Sequence, residues 1–243
     1  MLTLKDISFT VTDEAARQEK GILKQVSLEI EDDSFLVITG PNGGGKSTLA
    51  KVIMGIETPT RGQIIFNGQD ITHMDITQRA KLGMGFAFQQ PVRFKGLTVR
   101  DLLRLATDRV MSSEQLCRYL SEVGLCAADY MNREVNASLS GGELKRIEIA
   151  MLMARGVEIS IFDEPEAGID LWSFNNLIRV FKHIRALRHG SVVIISHQER
   201  ILDIADKIVV LSDGVITAQG SRDELLPELL KESDACEFYR AGA

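Results

Sequence analysis

"TGPNGGGKST", residues 39–48, holds four glycines, one proline and one lysine in ten positions. So few side chains cannot build a core; what the stretch offers is backbone. Gly40 to Ser47 fit the pattern G-x-x-x-x-G-K-[ST]. The apolar run FLVIT (35–39) before it reads as a buried parallel strand, and KSTLAKVIMG (46–55) after it has helical spacing. Glycines let successive N–H groups turn inward around phosphates, and the start of the following helix adds positive potential. The expected nucleotide-binding residues are Gly40, Asn42, Gly43, Gly45, Lys46, Ser47 and Thr48, with Lys46 reaching the β- and γ-phosphates and Ser47 offering its hydroxyl to Mg2+.

Working outward, LTLKDISFTV and ILKQVSLEIE alternate at period two and read as strands, with the charged TDEAARQEKG between them as a hairpin loop. RGQIIFNGQDI gives a strand, a tight Asn67-Gly68 turn and a further strand start; GMGFAFQQ gives another strand. From Pro91 to Arg155 the pattern turns helical, through TVRDLLRLATDRV, SSEQLCRYLSEVG and GGELKRIEIAMLMAR. VEISIFDEP, a helix over SFNNLIRVFKHIRALR, and the strands SVVIISH, KIVVLSD and GVITAQG complete the chain. Strands alternate with helices at both ends around a helical block, which predicts an α/β domain with an inserted helical subdomain.

Two further stretches carry chemistry. In ISIFDE (159–164) the apolar residues make a buried strand, and Asp163 and Glu164 emerge at its C-terminal end, where α/β sheets bind ligands. Asp163 is placed to hold Mg2+ and Glu164 to orient or deprotonate an attacking water. LSGGE (139–143) precedes a helix: Ser140 can donate a hydroxyl, and Gly141 and Gly142 expose N–H groups. The same residues also suit an ordinary helix start, with Ser140 as cap and Glu143 closing a capping box.

A phosphate loop, LSGGE and ISIFDE in this order resemble the ATP-binding-cassette (ABC) ATPases over essentially the whole chain. The resemblance implies a P-loop NTPase (RecA-like) α/β core with an N-terminal antiparallel β-subdomain and an inserted α-helical subdomain. Residues 1–243 would form a single ABC ATPase domain, with the core over 1–90 and 156–243 and the helical subdomain, bearing the signature motif, over 91–155. It also implies ATP and Mg2+ as ligands. Gln89 then looks like the glutamine that ligates Mg2+ and senses the γ-phosphate, and Asp170 in AGID like a residue along a dimer interface. His197 looks like the switch histidine on the γ-phosphate, so that Glu164, His197 and Lys46 are the expected catalytic set; His73, His183 and His189 match no motif. Two subunits of such ATPases sandwich two ATPs, so Ser140 and Gly142 would contact nucleotide held by a second copy. Three positions depart from the pattern. Val11, with Phe9 two residues earlier, stands where an aromatic stacks on adenine; Gly44 stands for a common serine and Met151 for a frequent arginine.

Composition bounds the partners. The net charge of −6, with no dense basic stripe, argues against nucleic acid. No apolar run approaches the eighteen or so residues of a membrane span, and Met1 leads straight into an alternating strand rather than a signal peptide. Cys117, Cys126 and Cys236 are widely spaced, as expected of incidental thiols in a cytoplasmic protein. Any membrane attachment would run through another protein.

Three classes of ABC ATPase compete. Coiled-coil DNA-maintenance members need hundreds of residues between motifs where this chain has 117 from Lys46 to Asp163, and repair-type members carry zinc-binding cysteine pairs. GFAFQQPVRFKG and Arg200-Ile201-Leu202 after His197 are similar to SufC-type ATPases, which drive a SufB- or SufD-like scaffold in iron–sulfur cluster assembly. FDEPEAGID keeps a Glu-Pro pair common in transporter ATPases, whose partner is a transmembrane permease subunit. The balance of these local matches favours the SufC-type reading, with the transporter subunit as the alternative.

Overall fold

Leu2, Leu4 and Ile7 on one strand and Leu23, Val26, Leu28 and Ile30 on the next are all buried, and the strands pair antiparallel with register shifts where the spacing jumps from Leu4 to Ile7. These strands are β1 (Leu2–Asp13) and β2 (Gln18–Ile30). The computed structural model describes residues 1–13, 18–107, 111–136, 138–187 and 190–240, with backbone alone at 13, 18 and 232–240. The strands consume much of the expected hairpin loop, and its residues 14–17 lie outside the described residues. The chain forms two units, residues 1–73 with 195–243, and residues 74–194.

In the first unit β3 (Phe35–Thr39) is buried throughout and leads through the glycine-rich loop into α1 (Lys46–Ile53). β4 (Arg61–Phe66) and β5 (Gln69–Asp70) join the first two strands in a sheet of order β2-β1-β4-β5. Between them Asn67 and Gly68 take φ of 49° and 79°, as a two-residue hairpin turn requires. The remaining helices and strands of the chain are, through the second unit, α2 (Ile76–Lys81), β6 (Met84–Ala87), α3 (Val99–Leu105), α4 (Ser113–Glu122), α5 (Ala127–Tyr130), α6 (Gly141–Arg155), β7 (Ile159–Asp163), α7 (Leu171–Leu187) and β8 (Ser191–Ile195). Back in the first unit come α8 (Glu199–Leu202), β9 (Lys207–Ser212), β10 (Val215–Ser221) and α9 (Arg222–Arg240). There β3 runs parallel to β9, which pairs antiparallel with β10. Asp206 fixes the start of β3: its N–H donates to the Phe35 carbonyl at 2.8 Å and its carboxylate accepts the Phe35 N–H at 2.9 Å.

In the second unit the strand order is β8-β7-β6, with β6 parallel to β7. All five residues of β8 are buried, as strands covered on both faces are. Four helices, α3 to α6, occupy the stretch between β6 and β7. Reciprocal capping boxes start α2 (Asp75 with Gln78), α3 (Thr98 with Asp101), α4 (Ser112 with Gln115) and α6 (Ser140 with Glu143). Gly156, in the left-handed region at φ 66°, ends α6.

Four elements have no counterpart in the sequence pattern: α2, α5 and α8, too short to show periodicity, and α9, which carries Pro227 within it. The strand expected over residues 83–90 spans only Met84–Ala87, leaving Gln89 outside regular structure. Among the described residues no helix is long and apolar enough to cross a membrane. Cys117 and Cys126 form no disulfide, whereas the side chain of Cys236 and all of His189 lie outside the described residues.

Ser112 starts α4, accepting the Gln115 N–H while the Gln115 side chain accepts its own. Replacing it by alanine is expected to lower stability by about 1 kcal/mol, read as a lower urea midpoint with the slope unchanged.

Candidate functional site

The first unit positions the glycine-rich loop by packing backbone on backbone. A Cβ on Gly40, whose φ is 132°, would fall 2.1 Å from the Leu211 carbonyl oxygen of β9. One on Gly44 would fall 2.8 Å from the same oxygen, so glycine rather than serine suits this close approach. The Gly44 carbonyl accepts the Gly214 N–H at 3.1 Å, and the Gly214 carbonyl accepts the Lys24 N–H at 2.8 Å. The β9–β10 turn thus ties the loop to β2. Asn42 and Gly43 stand exposed at the loop's tip, and Ser47 and Thr48 are half-buried in the first turn of α1.

Lys46 is 5% exposed, and its ammonium donates to the carbonyls of Gly40 and Pro41, at 2.8 Å each. The side chain folds back over the loop that carries it, with its charge on the backbone that would cradle phosphate. His197 follows β8. The preceding Ser196 is fully buried and donates its N–H to Ile38 of β3 at 3.1 Å, so His197 stands exposed beside the strand that enters the loop. Val11 is 46% exposed and pairs with Lys20; it presents no aromatic face for a base.

The second unit brings Gln89 and Glu164 together. The Gln89 side-chain N–H donates to the Glu164 carboxylate at 2.6 Å. Asp163 is the last residue of β7 and buried at 5% exposure, and Glu164 follows it with φ 43°. That left-handed backbone costs a residue with a side chain roughly 1–2 kcal/mol and re-aims the carboxylate out of the strand's alternation. Ser47, Gln89 and Asp163 each offer oxygen, the donor type Mg2+ takes. Among the described residues no three His, Cys, Asp or Glu side chains cluster as a metal cage. Oxygen donors this few suit, each by itself, an ion that fills the rest of its shell with water and substrate phosphates.

The LSGGE helix start works as the capping box the sequence allows. The Ser140 hydroxyl accepts the Glu143 N–H at 3.3 Å, and the Glu143 carboxylate accepts the Ser140 N–H at 2.6 Å. The Tyr130 hydroxyl also donates to Glu143, and Arg133, 3.6 Å away, lies over the Tyr130 ring. Burial pushes the Glu143 carboxyl up, but these hydrogen bonds and the Arg133 charge outweigh it and hold it below its usual range. Ser140 is exposed, while Gly142 is buried where a Cβ would strike Ser173 at 2.4 Å. Asp170 caps α7, accepting the N–H groups of Trp172 and Ser173 and the Ser173 hydroxyl. The same unit has a groove of about 1250 Å3, lined in part by Phe88, Pro91, Val92, Leu102, Leu105 and Met151.

Residues 23–167, more than half of the chain, match the ABC transporter family. This chain belongs to the ABC transporter ATPases. It is an ATP hydrolase with the cassette fold of that family. It is 39% identical over 228 residues to the uncharacterized ABC transporter ATP-binding protein MJ0035 of Methanocaldococcus jannaschii, covering 90% of this chain and 91% of that one. It is 34% identical over 209 residues to the sulfate/thiosulfate import ATP-binding protein CysA of a Synechocystis species, covering 84% of this chain but 57% of that protein. Among solved structures, the dimeric bacterial ABC transporter cassette MJ0796 superposes with a TM-score of 0.80 at 25% identity, over 91% of this chain and 99% of that one. These similarities back the transporter alternative better than the SufC-type reading.

Two contributors carry no mark in the sequence pattern: Leu211 and Gly214, whose contribution is backbone. Gly40→Ala is expected to push the loop off β9 and abolish ATP binding. Fluorescent ATP-analogue titration checks this, with Gly68→Ala, whose Cβ meets nothing within 4 Å, as the control that keeps binding.

Proposed function

We propose that this chain is the Mg-dependent ATP-hydrolysing subunit of an ATP-driven transporter. In this reading it works as a pair of copies that sandwich ATP, peripheral to the membrane on its cytoplasmic side and bound to a transmembrane permease subunit. The observation that carries hydrolysis over mere binding is Glu164, a carboxylate at a strand end, oriented by Gln89 through a bond of 2.6 Å. A carboxylate so held is suited to orient or deprotonate the attacking water.

The chemistry is phosphoryl transfer from ATP to water, in which the protein's part is positioning and charge stabilisation. Gly40, Asn42, Gly43, Gly45 and Thr48 shape the backbone cradle, and Lys46 exchanges loop carbonyls for phosphate oxygens. His197 donates to the γ-phosphate. Ser47, Gln89 and Asp163 would hold Mg2+, which supplies neutralisation of the charge on the β- and γ-oxygens. Ser140 and Gly142 of one copy contact the nucleotide held by the other, so closure excludes water and opening resets the cycle. Dual use of Ser140 is consistent with its capping bond, because a hydroxyl that accepts the Glu143 N–H keeps its own proton to donate.

The transporter reading is supported by the relatives that cover most of this chain, and by the groove that Pro91, Val92, Phe94 and Leu102 help to line, a surface suited to a permease segment. A second reading, a SufC-like ATPase on a SufB- or SufD-like scaffold, keeps the support of the GFAFQQPVRFKG and Arg200-Ile201-Leu202 stretches. Native purification of the tagged protein with its partners discriminates them. Co-purification of an integral membrane protein is the expected result, and a water-soluble scaffold would overturn the transporter reading.

Glu164→Gln is expected to keep ATP binding, to lose turnover by about a hundredfold or more, and to elute as a dimer with Mg-ATP. Unchanged phosphate release in that variant would remove Glu164 from the mechanism. Lys46→Ala is expected to lose nucleotide binding itself, measured by equilibrium titration.

A further inference from the structure

Phe88, the residue before Gln89, is gripped at both of its backbone polar groups by a single turn of α6. The Lys145 ammonium donates to the Phe88 carbonyl, and the Phe88 N–H donates to the Glu148 carboxylate. Lys145 and Glu148 face each other across 3.5 Å, three residues apart on the helix, with side chains 2% and 18% exposed. Taking two such charges out of water costs several kcal/mol per ion before their attraction is counted. Burial accordingly draws the Lys145 ammonium down and the Glu148 carboxyl up from their ordinary ranges, each opposed by the charge of the other; Asp163 and Glu166 also oppose the shift of Lys145. The helix has no need of the pair for its own ends, which the Ser140–Glu143 box and Gly156 already close. A buried ion pair is weak evidence of stabilisation, so its use lies in what it holds.

What it holds is the peptide one step from the hydrolytic apparatus. Beyond Ala87 the chain leaves β6 and has no ladder to fix it, and the next side chain, Gln89, donates to Glu164. Phe88 is 39% exposed, and its ring stands edge-on to Phe86 at 4.8 Å, so burial alone does not fix the peptide. We propose that Lys145 and Glu148 are positioning residues for ATP hydrolysis: clamping the Phe88 peptide, they set Gln89 and, through it, the Glu164 carboxylate. The clamp runs from the helix that begins with LSGGE, so the signature motif and the hydrolytic carboxylate of one copy share a rigid connection inside the second unit. This rests on the reading of Glu164 as the hydrolytic carboxylate.

The full chain with Mg-ATP tests it. Lys145→Met/Glu148→Leu removes both bonds to Phe88 without stranding a buried charge, a replacement that folds commonly tolerate. Its kcat is expected to fall about tenfold or more, as misplacement of a reacting group does, while KM for ATP and the melting-temperature rise on adding ATP stay unchanged. Glu148→Gln keeps an acceptor for the Phe88 N–H and is expected to retain most of the turnover that Glu148→Leu loses. Wild-type kcat in the folded double variant overturns the proposal. So does an equal loss in Glu148→Gln and Glu148→Leu, a comparison that stands even where the double variant does not fold. Glu164→Gln separates the two levels: if it turns over normally, the reading of Glu164 fails. If it is inactive while the double variant is active, only the clamp fails.

Discussion

The first unit depends on one close approach, the glycine-rich loop lying with its backbone against the Leu211 carbonyl of β9. A loop of bare backbone has no side chains with which to hold a shape, so its shape must be imposed by neighbours. Those are the Leu211 carbonyl of β9 and the N–H of Gly214, itself tied to β2 through Lys24. A strand pair far away in sequence therefore templates the loop, and Asp206 locks the parallel strand that delivers it. The glycines are required twice over. They let the loop turn, and they leave out the Cβ atoms that would separate it from its template.

In the second unit the corresponding part belongs to α6. Its first turn satisfies its own orphan N–H groups with Ser140 and Glu143, and Glu143 is held further by Tyr130 and Arg133. A helix start so fully braced presents Ser140 and the Gly141–Gly142 backbone in a fixed direction, which is what an anion-binding end requires. The competing readings of LSGGE as cap and as ligand-binding motif are therefore compatible, because a well-capped helix is a better pre-organised one. One turn further on, the same helix invests a buried ion pair in a neighbouring peptide rather than in itself.

The legible parts of the sequence are those in which residue type alone states the physics. Four glycines around a lysine, an acidic pair at the end of an apolar run and alternating apolar residues in β1 and β2 each suit very few backbone arrangements. The Asn67-Gly68 turn is legible on the same ground, since both residues tolerate positive φ. Structure made by tertiary context is not. α2 and α5 are too brief for a period to show, and only the Asp75–Gln78 box marks the first of them. Lys145 and Glu148 at a spacing of three look like a pair on a solvated helix face, and nothing local says that they are buried. Leu211 contributes a carbonyl oxygen, a group every residue has. The order of motifs supplies the family, but local matches after the glutamine are too short to choose among its branches, which share the same nucleotide chemistry.

Glu164 shows how these constraints converge on chemistry. Its φ of 43° is unfavourable for a residue with a side chain, and glycine would adopt it without strain. The acid is nonetheless there, held by the Gln89 bond and by the Ala167 N–H, which donates to its carbonyl at 3.0 Å. Were the backbone extended, the side chain after buried Asp163 would simply point to the opposite face of the strand. The left-handed turn breaks that alternation and lets two consecutive acids serve one end of β7, Asp163 from a buried position and Glu164 from a half-buried one. Strain of this kind persists only where the surroundings over-determine it. Gln89 supplies part of that determination, through the bond its side-chain N–H donates to the carboxylate.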